Sequence, residues 1–217
     1  MLSRARPLTL RAPLPRTVRR ERLRLADGAR TTLYVARHDL RRTDVRVVRL
    51  ERPGPLEAWC RAHGYGEALV GGFYARPHLT PLGELRLGGV LREHVPFAAP
   101  FDARRACLHV AGRTVTIARR DALPATPAGD LLQAGPLLVR GGAPVTGDAE
   151  GFSAGSHQFD SDITVGRYPR AALGLTRRGE LLAVACDGRA DDEAGLTMAE
   201  LAETMAALGA VHALILD

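Results

Sequence analysis

Residues 211–216 form an apolar run with no alternation of polar positions, so a strand built from them must be covered on both faces. Two more apolar runs, 170–176 and 180–186, flank Arg177-Arg178-Gly179 and read as a β-hairpin. Between the hairpin and the last run, Thr197-Met198-Ala199-Glu200 is a capping box. Leu201, Met205 and Leu208 follow at helical spacing, and Gly209 stands where a helix C′ glycine belongs. These elements predict an α+β chain of one domain, with a mixed or largely antiparallel β-sheet core and a few covering helices.

Upstream, residues 18–25, 31–37 and 45–50 alternate branched and polar side chains around Asp27-Gly28, which predicts a three-stranded meander. Pro55 opens a short helix in which Leu56, Trp59 and Cys60 share one face, expected to cover one side of the sheet. Residues 67–74 read as a strand with Gly71-Gly72 inside it, a place for a bulge or for close approach of another group, and so a candidate site wall. Further strands are expected at 107–110, 115–119 and 131–139, with Gly141-Gly142 turning the chain. Residues 148–167, rich in Gly, Ser and Asp, form a long loop of the kind that carries function. The organisation expected is a basic disordered tail over 1–17, the meander and short helix over 18–66, and the remainder of the same domain over 67–217.

The formal charge of +6 raises the question of nucleic acid, and its distribution answers it. Residues 1–24 hold eight arginines against Glu21 alone, net +7; taken from the overall +6 this leaves −1 for the rest. All 30 basic residues are arginine, a coding bias more than selection for phosphate, so no nucleic-acid partner is expected. Without lysine, a Schiff base or a P-loop lysine is excluded. No GxSxG elbow or GxGxxG motif appears, so serine hydrolysis and nucleotide cofactors are not expected. No apolar run is long enough to span a bilayer, and residues 1–20 lack the apolar stretch of a secretory signal, which predicts a cytoplasmic location. Cys60, Cys107 and Cys186 are odd in number and far apart, as buried thiols are.

Asp187 closes an apolar run before Gly188-Arg189, which sets a carboxylate at a strand end beside a guanidinium; an Asp-Gly turn paired with Arg189 explains the same residues. Arg170 opens a strand after Pro169 and suits a bidentate phosphate clamp, whereas Arg167 reads as a solvated charge. Glu84, after Pro81-Leu82-Gly83, is either a polar site residue or a solvent-facing turn. His157 with Asp160 and Asp162 has the residue types of a metal cluster, but Asx-turns account for both aspartates, so no metal is expected; His157 alone suits a general acid.

Five blocks in order carry a resemblance: Gly71-Gly72-Phe73-Tyr74, residues 167–174 (Arg-Tyr-Pro-Arg-Ala-Ala-Leu-Gly), Cys186-Asp187-Gly188-Arg189, residues 195–201 and residues 208–217. Together they resemble the phosphodiester glycosidases, relatives of the enzyme that uncovers mannose 6-phosphate. The resemblance implies a hydrolase cleaving the bond between the anomeric carbon of a sugar and a phosphodiester. Asp187 would carry the main carboxylate role, with Glu84 and Asp217 as further acids. Arg170 and Arg189 would hold phosphate, and Gly71, Gly72, Phe73, Gly188 and His157 would border the substrate. The alternative is a binding module for anionic glycans or cell-envelope phosphodiesters without turnover. Two departures bear on it: Val70 stands where the family has asparagine, and Asp217 is last where the family continues into glycines and serine, so the sequence is expected to be truncated within its own motif and poorly active.

Overall fold

The computed structural model describes residues 17–75, 78–145 and 166–216. Strands β1 (Val18–Arg24) and β2 (Arg30–Asp39) lead to helix α1 (Leu56–His63), followed by β3 (Tyr74–Ala75), β4 (Thr80–Pro81), β5 (Leu85–Leu87) and β6 (Val90–Leu91). The single turn α2 (Phe101–Arg104) precedes β7 (Ala106–Ala111), β8 (Thr114–Arg119), β9 (Asp130–Gln133), β10 (Leu137–Arg140) and β11 (Ala143–Pro144). The chain finishes with β12 (Arg170–Thr176), β13 (Glu180–Cys186), α3 (Met198–Ala207) and β14 (Ala210–Ile215). Seven strands form one sheet in the order β1-β2-β13-β12-β14-β10-β11, and five form another in the order β6-β5-β9-β7-β8. Every strand pairing within these two sheets is antiparallel. The architecture is predominantly β with few helices, at the β-rich end of the α+β expectation.

The apolar runs explain the layering. Side chains alternate between the two faces of a strand, and in the central strands both sets are apolar. Ala172, Leu182, Val184, Ala213 and Ile215 enter one core with Leu201, Ala202 and Met205 of α3. Ala171, Leu173, Leu181 and Leu214 enter a second core with Leu108, Val110 and Ile117 of the five-stranded sheet. The result is three layers: helix, seven-stranded sheet, five-stranded sheet. Gly174 lies where α3 crosses β12, and a Cβ there would come within 2.9 Å of Met205 Cε. The expected capping box is formed, Thr197 Oγ1 accepting from Glu200 N at 3.1 Å and Glu200 Oε2 from Thr197 N at 2.9 Å.

Four expectations need correction. Residues 45–50 form no strand, because both edges of β2 are taken, one by β1 and the other by β13. Residues 131–139 are two strands in different sheets, broken at Gly135-Pro136, where Gly135 N bonds Ile215 O at 3.1 Å as the chain crosses between layers. Gly71-Gly72 lie before the two-residue strand β3, outside any strand. Helix α1 forms as expected but buries only Cys60, and its Trp59 stacks on His63 and Tyr65; the helix covering the sheet is α3. All three cysteines are free and buried.

Candidate active site

The resemblance blocks of the C-terminal half meet at one end of the seven-stranded sheet, where β12 begins and β13 and β14 finish. Tyr168 and Leu196 exchange backbone hydrogen bonds of 3.2 and 3.0 Å. Two glycines make this crossing possible. A Cβ on Gly188 would lie 2.5 Å from Pro169 N, and one on Gly195, at φ +79°, would lie 2.5 Å from Tyr168 O. Gly188 is therefore required by packing.

Arg170 is buried and donates Nε to Leu196 O at 2.5 Å and Nη2 to Gly166 O at 2.9 Å. It shares the α3 face of the sheet with Ala172, two residues along the strand. Arg167, expected to be solvated, makes a bidentate pair with Glu200, its Nη2 at 2.5 Å from Oε1, and reaches Asp27 at 2.6 Å. Arg170 ties the loops at Gly166 and Leu196 to the start of β12, and Arg167 ties its segment to α3 and the β1–β2 turn.

Asp187, one residue beyond β13, stands on the opposite face. Cys186 and Leu33 point into the α3 core, so Asp187 and Tyr34 point the other way. Tyr34 OH donates to Asp187 Oδ2 at 2.9 Å; the backbone of Asp187 is pinned by Thr31 Oγ1, which donates to its carbonyl at 2.8 Å, and by its own N–H bonding Thr32 O at 3.0 Å. Burial, reinforced by the hydrogen bond to Asp187, pushes the Tyr34 phenol above its usual range, so it stays a donor at neutral pH. Beside it Glu193 accepts from Thr32 N at 2.6 Å and from Thr32 Oγ1 at 2.8 Å, and pairs with Arg22. Burial opposes ionisation of Glu193, but the Thr32 and Arg22 contacts prevail and hold its carboxyl low.

This β2 contribution was missed in the sequence reading, which found no motif before residue 67. A signal exists: Arg20, Arg22, Thr32 and Tyr34 form a run of polar positions on one face of the hairpin, while the other face includes Leu23, Leu33 and Val35, which pack in the α3 core.

The remaining candidates are dispersed. Gly71 and Gly72 pack on the end of β9, where a Cβ on Gly72 would sit 3.4 Å from Gln133 O. The segment before them lies on the Asp187 side of the sheet, with Leu69 in the second core and Glu67 paired to His38 at 3.1 Å. Phe73 instead packs against the α3 core. Arg189 is exposed at φ +62°, its guanidinium 5.1 Å from the centre of the Tyr168 ring. Glu84 belongs to the five-stranded layer, held between Arg86 and Arg120 at 2.5 Å each beside a recess of about 440 Å³ shared with His94, Asp102 and Gln133. Burial works against its charge, but the two arginines outweigh it and keep the carboxyl below the usual range. Asp217, His157, Asp160 and Asp162 lie outside the described residues. Among the described residues no three His, Cys, Asp or Glu side chains come together as a metal site, and no helix is long and apolar enough to cross a membrane. Burial pushes the Cys186 thiol up to about 11 and raises Cys107 as well, so neither offers a thiolate at neutral pH.

Residues 63–217 match the phosphodiester glycosidase family. Among solved structures, a hypothetical protein from Synechocystis is similar, at 17% identity and a TM-score of 0.61 over 92% of this chain and 56% of that one. The catalytic domain of zebrafish N-acetylglucosamine-1-phosphodiester alpha-N-acetylglucosaminidase, auto-inhibited by its pro-peptide, is similar at 18% identity and a TM-score of 0.57, over 92% of this chain and 69% of that one. This chain thus spans little more than half the length of the Synechocystis protein, and at such identities the likeness is one of fold. No curated protein matches it in sequence.

Proposed function

Because the chain belongs to the phosphodiester glycosidase family, we propose that it hydrolyses the bond between the anomeric carbon of a sugar and a phosphodiester, with Asp187 as the principal carboxylate. The observation that carries the assignment is the hydrogen bond from Tyr34 to Asp187 Oδ2. It fixes the carboxylate at a partly open strand end, with its backbone anchored on both sides by β2.

Glycosidic cleavage passes through an oxocarbenium-like transition state, which a nearby carboxylate stabilises as nucleophile or, through water, as base. Tyr34 donates to one oxygen of Asp187 and orients the other toward the sugar. A phosphodiester leaves as a stable anion, so the reaction needs little acid assistance at the leaving oxygen, and one carboxylate suffices for the bond-breaking step. Arg189, exposed beyond the end of the same strand, is a candidate to meet the departing phosphate. Arg170 serves this site indirectly, by holding the 166–170 segment against Leu196.

Hydrolysis in ¹⁸O-labelled water tests the reaction. With a methyl-capped N-acetylglucosamine 1-phosphodiester, glycosidic cleavage puts the label in the sugar hydroxyl and leaves methyl phosphate unlabelled. Label in the phosphate would mean cleavage at phosphorus and would reject the proposal.

A further inference from the structure

We infer that Arg20, on the outer strand β1, is a phosphate-binding residue of the Asp187 site; this rests on the reading of that site as a sugar-phosphodiester hydrolase. The inference begins from strand alternation. Leu23 packs in the α3 core, so the even-numbered residues of β1 point to the other face. The register pairs Arg20 with Tyr34 and Arg22 with Thr32, and directly paired residues share a face with Cβ atoms about 5 Å apart. Tyr34 pairs in turn with Ala185, two residues before Asp187, and its hydroxyl reaches that carboxylate. Arg20, Tyr34 and Asp187 therefore run across three adjacent strands on one face.

Of the four arginines on that face of the hairpin, Arg24 and Arg30 pair with each other at the turn end, and Arg20 and Arg22, level with Tyr34 and Thr32, differ in what they already hold. Arg22 is committed to Thr32, Glu193 and the carbonyl of Asp192. Arg20 is exposed, and its guanidinium has no hydrogen-bond or ion-pair partner among the described residues, though its field reaches Tyr34. A phosphodiester approaching Asp187 meets like charge, and a free guanidinium beside it supplies the compensating fork. Arg170, on the opposite face with Nε and Nη2 on the carbonyls of Leu196 and Gly166, is less suited to that task. Arg19, paired with Val35, faces the α3 side and is the natural control.

The test compares Arg20→Gln and Arg19→Gln with the unmodified protein on the methyl-capped N-acetylglucosamine 1-phosphodiester and on an uncharged aryl glycoside of the same sugar. Arg20→Gln is expected to raise KM for the diester about tenfold, the loss of one charge-assisted contact, with kcat and the neutral glycoside little affected. Arg19→Gln should behave as the unmodified protein. Equal effects of the two variants, or an equal loss on the neutral glycoside, would overturn the assignment. Calorimetric binding of the diester to Asp187→Asn, with and without Arg20→Gln, reads the same contact without turnover. Binding about tenfold weaker in the double variant supports Arg20 even if no hydrolysis occurs. Equal binding rejects Arg20 alone, and no binding to Asp187→Asn or to the unmodified protein rejects the substrate reading with it.

Discussion

The two faces of the seven-stranded sheet, at the end where β12 starts and β13 stops, use the same residue types for different ends. On the α3 face Arg170 is buried, its donors are on Leu196 and Gly166 carbonyls, and Gly188 and Gly195 let the crossing strands touch. On the other face Asp187 is half-buried, Tyr34 donates to it, and Arg20 is open to solvent. The first arrangement has its polar groups satisfied internally and stabilises the fold. The second holds charge that nothing in the described chain neutralises fully, which is what a site for an external anion requires. A residue inside a shared sequence block can belong to either, and the register decides which.

That contrast predicts separable effects. Gly195→Ala, forced into φ +79° and against Tyr168 O, should destabilise the fold by roughly 2–5 kcal/mol, read as a large fall in melting temperature; a melt like that of the unmodified protein would break the packing argument. Arg170→Met takes a donor from Gly166 O and one of the two donors from Leu196 O, and should cost about 1–3 kcal/mol, again in stability first. If it instead raises KM in a protein of unchanged stability, Arg170 contacts substrate and the two faces are not distinct.

Tyr34→Phe should leave the melt nearly unchanged while lowering kcat about tenfold, the scale of one hydrogen bond to a charged group. Since the Tyr34 phenol titrates above the ordinary tyrosine value, activity that depends on its donation should persist through the neutral range and fall only above pH ~10. The alkaline fall should vanish in the variant; its persistence would assign that titration to another group.

The smallest effect concerns Glu200. The Arg167 bond, first among the contacts, holds its carboxyl below the usual value, so its contribution to stability is present above the unfolded glutamate pKa and lost as pH falls through the lowered folded one. Glu200→Gln should therefore cost at most about 1 kcal/mol at pH 7, with the difference closing in acid. A constant difference across the titration would mean that packing, and not the ion pair, is at stake.

The parts of this architecture set by local chemistry were readable in the sequence. The capping box of α3, the β12–β13 hairpin around Gly179 at φ +76° and the doubly covered last strand each rest on neighbouring residues. The site was less readable because it depends on non-local pairing: β2 lies beside β13 across some 150 residues of chain, and only that register brings Tyr34 to Asp187. The extra meander strand at 45–50 failed for the same reason, since its place beside β2 is taken by β13. Gly71-Gly72 were expected within a strand at a close approach; they lie outside a strand, and a Cβ on either would make ordinary contact with β9, 3.5 Å from Leu132 Cδ2 and 3.4 Å from Gln133 O.

The most direct measurement is single-turnover hydrolysis of the sugar phosphodiester by Asp187→Asn, paired with a thermal melt. The exchange keeps the size of the side chain, an acceptor for Tyr34 and the backbone anchors to Thr31 and Thr32, while it removes the charge and turns the other oxygen into an NH2 group. The account predicts an unchanged melt and a rate lower by about a thousandfold or more, the loss expected for a carboxylate acting on the reacting carbon. A rate like that of the unmodified protein would move the chemistry off this face of the sheet, and a collapsed melt would show Asp187 to be part of the scaffold.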